Sequence, residues 1–502
     1  MAGNKLLKLT KMKKANLSKS KFLAGLQCLK RLYLQCYQRE LAGEPDEKLQ
    51  AILDQGQEVG MLAQKAFPSG VLISEDHLHH KKAVTRTKEL IADKSVSAIF
   101  EAAFNFEDIL VRVDILERLP RNRWRLIEVK SSTKTREYHP PDVAIQKYVL
   151  EQCGFKVSEA CLMHLNREYV YNGKKYQLNK LFTIDNLTGE IKSFEKEVPV
   201  HIKEQWKTLA LKKAPDVETG PQCTDPFECE FYSHCHEEPP TDWVGYLPRI
   251  GKKADELIEM GIASIHDIPD SFSLTDTQRR ACECVKKNKP YYDRDLKDEI
   301  AALKYPIYFM DFETVNPALP RYTGMRPYDK FAFQWSVHVQ KKPGAKTKHH
   351  EFLQDDGDDP RGAFITALLS VLEEHKKAPV IVYSPFESGV LTEFSALFPK
   401  YAKRIEKIKN RLWDLLQVIR ANVYHPQFLG SFSIKYVLPA LVPDMSYDGM
   451  EVSDGMQAGI AYNNMLYGDL EPGERRRLKN SLLKYCSQDT LAMVRLLEHL
   501  RR

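Results

Sequence analysis

Residues 109–132 read ILVRVDILERLPRNRWRLIEVKSS. In the runs Ile109–Leu119 and Trp124–Lys130 apolar side chains alternate with polar ones, which predicts two neighbouring strands of a meander. Glu128 and Lys130 stand two apart, so both side chains leave one face of their strand. Asp114 lies in the first run, and two acids on adjacent strands can share one divalent cation. Hard oxygen ligands that retain water suit Mg²⁺ or Mn²⁺, and a lysine beside them can orient water or balance a phosphate's charge.

The flanking sequence extends this pair into a mixed α/β unit. Upstream, Ser18–Leu34, residues 46–67 and Lys81–Asp93 carry apolar residues at helical spacing, and Val71–Ile73 and Ser97–Phe104 read as strands. Downstream, Pro141–Cys153 reads as a helix and Ala160–Asn166 as a strand. Between Ala214 and Trp243 periodicity fades into a stretch rich in Pro, Cys, Asp and Glu, a loop-built boundary. Leu247–Pro269 reads as turn, helix, turn and short helix, with Gly251 and Gly261 at the turns, and residues 270–302 as a polar helical connector. A second α/β unit starts at Tyr305. Its strands are expected at Pro306–Phe312, Phe331–Gln340 and Val380–Tyr383, and its helices at Ala363–His375, Gly389–Phe398 and Leu482–Leu500.

Acids recur at the ends of these second-unit elements. Asp311 and Glu313 in YPIYFMDFETVNP share a strand face. Glu387 follows the apolar run VIVY, with Asp414 in RLWDLL as the alternative for the same place. Tyr485 and Asp489 lie four apart on one side of the last helix. Such carboxylates can converge on two metal ions that activate water and stabilise a leaving oxygen.

The chain has ten cysteines and no secretory signal, so disulfides are not expected in a reducing, cytoplasmic setting. Cys153, Cys161, Cys282, Cys284 and Cys486 read as small hydrophobic residues. Cys223, Cys229 and Cys235 differ, because equal spacing in a Pro-interrupted loop lets three thiolates wrap one metal centre. Cys28 is the expected fourth ligand and Cys36 the weaker candidate, with an iron–sulfur cluster or zinc as the centre.

At 502 residues several domains are expected, and the net charge of +6 is unevenly placed: no acid occurs between Met1 and Arg39. That end favours polyanions. No apolar run reaches membrane-spanning length. No GxxxxGK[ST] phosphate loop occurs, so any unwinding would need a helicase partner.

The Asp114, Glu128 and Lys130 pattern resembles the PD-(D/E)XK nuclease superfamily in its RecB-like branch. This implies that Gln146 and Tyr148, in AIQKY, contribute from the following helix. The branch usually spaces these as Gln-x-x-x-Tyr. It also tends to place a histidine in an early helix, where this chain has Gln64, with Glu58 as the substitute. The cysteines resemble those of the iron–sulfur nucleases of that branch, which implies a 4Fe-4S cluster on Cys28, Cys223, Cys229 and Cys235. Asp311, Glu313, Glu387, Tyr485 and Asp489 resemble, in order, the DEDD exonucleases of the ribonuclease H-like fold in their tyrosine subtype, although Glu387 replaces an Asp. The chain is similar throughout to largely uncharacterised bacterial proteins that fuse two such parts.

These readings imply an α/β protein of three parts. Residues 15–240 would be a PD-(D/E)XK domain with a cysteine cluster, 241–302 a helix-hairpin-helix-like connector, and 303–502 a ribonuclease H-like domain. The expected function is metal-dependent hydrolysis of nucleic acid, single-stranded or end-bearing DNA foremost and RNA second. The alternative is a nucleic-acid-binding platform with one or both sites degenerate.

Overall fold

The computed structural model describes residues 16–44, 47–121 and 123–502. Most of the lysine-rich start and the first residue of the expected 46–67 helix lie outside these. The chain is mixed α/β, and no described helix is long and apolar enough to cross a membrane. It divides into one unit of residues 1–237 with 317–329, and a second of 238–316 with 330–502.

The first unit is built on a seven-stranded sheet. Its strands run Gly70–Leu72, Ala98–Phe106, Ile109–Leu119, Arg123–Lys130, Val157–Leu165 and Phe182–Asn186, with Leu17–Ser18 pairing Ile109–Leu110. The three central strands form the expected antiparallel meander, and Val157–Leu165 adds in parallel. Alternation divides the core. Leu116, Leu126 and Leu162 pack with Val143, Ile145 and Val149 of the His139–Gln152 helix. Ile115, Ile127 and Cys161 pack on the other face with Val59 and Ala63 of the Glu47–Gln64 helix and with Ala318 and Leu319.

The helix expected over Ser18–Leu34 is two helices, Lys19–Gln27 and Leu29–Tyr37, joined at Cys28. Cys28 is extended, at φ −161° and ψ 123°, yet its N–H still donates to Ala24 O at 2.9 Å. A one-residue break barely disturbs apolar periodicity, so the pattern reads straight through it.

In the second unit the strand order is Lys348–Leu353, Phe331–Gln340, Ile307–Val315, Val380–Val382, Leu412–Asp414. The first three are antiparallel and the last two join in parallel. Phe331–Gln340 is buried along its whole length because both faces are covered. Trp335, Val337 and Val339 pack with Phe364 and Leu368 of the Pro360–Leu372 helix. On the opposite face Gln334 donates to Leu482 O and Ser336 bonds Thr490, both on the final helix, Pro472–Leu500. That helix begins ten residues before the apolar pattern does, started by Pro472 and a capping box of Glu471 with Glu474.

In the 247–269 segment Gly251 and Gly261 hold φ of +53° and +79°, which side-chain-bearing residues resist. They flank the Lys252–Glu259 helix, but the second short helix expected there is a 3₁₀ turn, Ile265–Asp267.

Candidate functional site

Three groups of chemistry-bearing residues emerge, two in the first unit and one in the second.

In the first unit Glu128 is 2% exposed and at the centre of an ionic cluster. Lys130 Nζ donates to Glu128 Oε1 at 2.7 Å and to Asp142 Oδ2 at 2.6 Å. Lys19 Nζ approaches the same Oε1 at 2.8 Å and Asp142 Oδ1 at 3.3 Å, and Gln146 donates to Glu128 Oε2 at 2.8 Å. Asp114 accepts the Val129 N–H at 2.7 Å. Burial pushes Asp114 up to about 8, with Glu128's charge adding to it. Burial also drives Glu128 upward, but Lys130 and Lys19 outweigh it and hold that carboxyl well below its usual range. Asp114, Glu128, Lys130 and Gln146 are thus brought together as expected.

Tyr148 is not. Two residues beyond Gln146 on a helix it points elsewhere, edge-on to Phe106 at 6.4 Å. Asp142, one turn before Gln146, takes the second helical place instead. Glu58 is also spoken for, since both its oxygens accept from Arg321 at 3.0 and 3.1 Å.

Glu101 was not singled out by sequence. Its neighbours pair Phe100 with Ile115 and Ala102 with Val113, which sets Glu101 opposite Asp114. It holds φ of +57°, a strained backbone for a glutamate inside a strand. Burial raises its carboxyl, and Arg112 and Lys19 draw it back.

The second group is Cys28, Cys223, Cys229 and Cys235, which line one cavity that Cys36 does not reach. Cys36 packs against the sheet's core instead. The loop is tied down by more than thiols: Gln27 Nε2 donates to Gln222 O and Phe227 O, both at 2.7 Å, and Arg31 pairs with Glu230 at 2.8 Å. Four thiols converging on one cavity could hold either tetrahedral zinc or an iron–sulfur cluster.

The third group gathers acids from separate elements of the second unit. The register sets Asp311 beside Ser336 and Glu313 beside Gln334, so both acids face the final helix. That helix presents Tyr485, Cys486 and Asp489, all buried. Ligand atoms of Asp311, Glu313 and Cys486 come within 4.8 Å of one another, with Cys486 Sγ 3.6 Å from Asp311 Oδ2. Glu387, buried in the first turn of Phe386–Leu397, touches Asp311, and its Oε2 has no partner. Asp414 instead caps the next helix, accepting from Leu416 N at 3.0 Å and Gln417 N at 3.3 Å.

Burial and mutual repulsion with Asp489, Glu313 and Glu387 raise Asp311 well above its usual range, and Glu313 rises for the same reasons. Burial lifts Glu387 to about 7 and Asp489 to about 6, the latter restrained by hydroxyls of Tyr447 and Tyr485. Tyr447 Oη to Asp489 Oδ1 is 2.5 Å. Lys435 faces Glu313 and Asp489. Gly455 lies so close that an added Cβ would sit 3.5 Å from Glu313 Oε2. So many closely spaced acids with so little positive charge among them could hold a cation.

Raised folded-state pKa values mean that protonation stabilises this cluster. That contribution is full below the ordinary values, 4.5 for Glu387 and 3.8 for Asp489, and is lost as pH rises toward about 7 and about 6. A divalent cation binds the ionised form. We expect Mn²⁺ to raise the melting temperature more at about pH 8 than at about pH 5.5, and Asp489→Asn to flatten the difference. Thermal unfolding with and without Mn²⁺ measures this; the same pH dependence in both proteins would contradict it.

A family model described as "Domain of unknown function (DUF2779)" matches residues 308–433. That span holds Asp311, Glu313, Glu387 and Asp414, and ends before Lys435, Tyr485 and Asp489. No curated protein matches the chain.

Proposed function

We propose that this protein is a metal-dependent nuclease whose second unit trims nucleic acid from the 3′ end. One observation carries the proposal: Asp311, Glu313, Glu387 and Asp489, brought from three separate elements, stand close enough to raise one another's pKa, three of them buried and Asp311 half-buried, with little to neutralise them. The strand order, three antiparallel and two parallel, supports a ribonuclease H-like reading of that unit.

Those four carboxylates would hold Mg²⁺ or Mn²⁺, which when bound lowers the pKa of water and balances charge on the phosphate. Hydrolysis adds water across the terminal phosphodiester. The water oxygen bonds to phosphorus, the bond to the preceding 3′ oxygen breaks, and that oxygen takes up a proton as a nucleoside monophosphate departs. Asp489 is oriented by Tyr447 and Tyr485, and the Tyr485 hydroxyl is the group that positions the attacking water. Lys435 supplies positive charge at the mouth.

In the first unit Asp114, Glu128, Lys130 and Gln146 support a RecB-like PD-(D/E)XK site, and the four cysteines a 4Fe-4S cluster. A second reading of this acid site has one observation in its favour. Lys19 and Lys130 already neutralise Glu128, so the cluster can grip a phosphate without cutting it. Cleavage by a protein carrying Asp311→Asn decides between them. If the site cuts, adding Lys130→Ala lowers the residual rate about 10²-fold in a protein that still folds, though it melts earlier because Glu128 and Asp142 each lose a partner. If Asp311→Asn alone already lacks all cleavage, with fold and metal intact, the platform reading holds.

A further inference from the structure

The final helix opens with PGERRRLKNSLLKY before reaching Asp489. Arg475, Arg476 and Arg477 crowd its first turns, where the helix dipole is already positive. They do nothing for the helix start, which Pro472 and the Glu471–Glu474 capping box secure. Ion pairing absorbs only part of this charge. Arg477 meets Glu451 at 3.1 Å and Lys479 meets Asp355, whereas Arg475, Arg476 and Lys484 have no carboxylate within 4.0 Å among the described residues.

Gly473, Arg476, Arg477, Asn480, Ser481 and Lys484 line one shallow, open groove along the helix. Arg476, Asn480 and Lys484 recur every fourth residue and so form one stripe along the helix. The stripe ends beside Tyr485, and at 1.5 Å per residue Arg476 lies about 20 Å of helix from Asp489. The lining is wholly polar or glycine. A protein partner would want an aromatic or aliphatic anchor at its centre, which this groove lacks. A polyanion needs only forked guanidinium and ammonium donors. It also needs them here, because the acid cluster at the far end repels phosphate until cations lead the strand in.

We infer that this groove is the track for the sugar–phosphate backbone of a single-stranded nucleic acid whose 3′ end enters the Asp311–Asp489 pocket. The inference rests on the exonuclease reading for where the strand goes, and on the groove itself for what binds.

The test is anisotropy of a fluorescein-labelled single-stranded oligonucleotide titrated with full-length protein in EDTA at several salt concentrations. Arg476→Glu with Lys484→Glu should weaken binding by about tenfold or more at moderate salt and lower the slope of log affinity against log salt by about 2. The control, Lys341→Glu with Lys342→Glu, changes net charge equally on an exposed loop and should shift affinity by less than about twofold. Equal losses in the two double variants would overturn the track, as would polyglutamate competing as well as the oligonucleotide through the same residues. The two readings fail separately. Asp311→Asn that trims like wild type, beside groove variants that lose binding, removes the exonuclease and keeps the track. Groove variants that bind normally, beside a dead Asp311→Asn, do the reverse.

Discussion

Asp311→Asn is expected to reduce stepwise loss of 3′ nucleotides by about 10³-fold, because it withdraws a charged ligand whose contribution to the transition state is several kcal/mol. The fold should survive. Asp311 carries a raised pKa from burial and from Asp489, Glu313 and Glu387, so a neutral amide relieves repulsion in the metal-free protein. The variant should therefore melt no lower than wild type without metal and lose the stabilisation by Mn²⁺. Glu387→Gln should cost nearly as much activity, whereas Asp414→Ala should chiefly remove a helix cap worth about 1 kcal/mol. Tyr485→Phe should leave the Mn²⁺-induced melting shift intact and slow the chemical step. Single-turnover trimming of an end-labelled strand measures all four. A harmless Glu387→Gln beside a dead Asp414→Ala would exchange their roles.

Cys28→Ser is expected to produce the largest loss of stability. The thiols of Cys28 and Cys223 are about 195 residues apart in sequence. A centre that bridges them acts as a cross-link closing a very long loop, worth about 5 kcal/mol in chain entropy. In a unit of this size that corresponds to a fall of about 10–20 °C in melting temperature. The hydrogen bonds from Gln27 and Arg31 should hold the loop partly in place, so the variant folds but melts early. Anaerobically purified wild type should be brown and contain iron and acid-labile sulfide, and Cys28→Ser should lose both. Stoichiometric zinc without sulfide would replace the cluster with a structural zinc site. Full metal retention by Cys28→Ser would remove Cys28 from the ligand set.

What could be seen in the sequence follows the range over which each signal acts. Period-two alternation placed Ile109–Leu119 and Phe331–Gln340 to the residue, and the i, i+2 spacing of Asp311 with Glu313 put both on one face. Groups that arrive by tertiary contact left no such mark. Lys19 reaches Glu128 across 109 residues of chain, and Tyr447 reaches Asp489 from an irregular loop. Asp142 does carry a signal, since it lies one helical turn before Gln146 and so shares its face. Glu101 reads like any strand residue, since only the backbone reveals its left-handed φ. Helices such as Ile434–Leu441 and Gly455–Tyr467 were missed because Pro439 and the glycines at 455 and 459 weaken the helical pattern while packing decides the outcome.

The most direct test of the central claim is a sequencing-gel assay. A 5′-labelled single-stranded DNA is incubated with Mn²⁺ and wild-type protein, Asp311→Asn, or Asp311→Asn with Lys130→Ala. Wild type should give a ladder that shortens one nucleotide at a time, Asp311→Asn should lose that ladder, and the double variant should leave the strand intact. Identical ladders from wild type and the double variant would contradict a nuclease built on these residues.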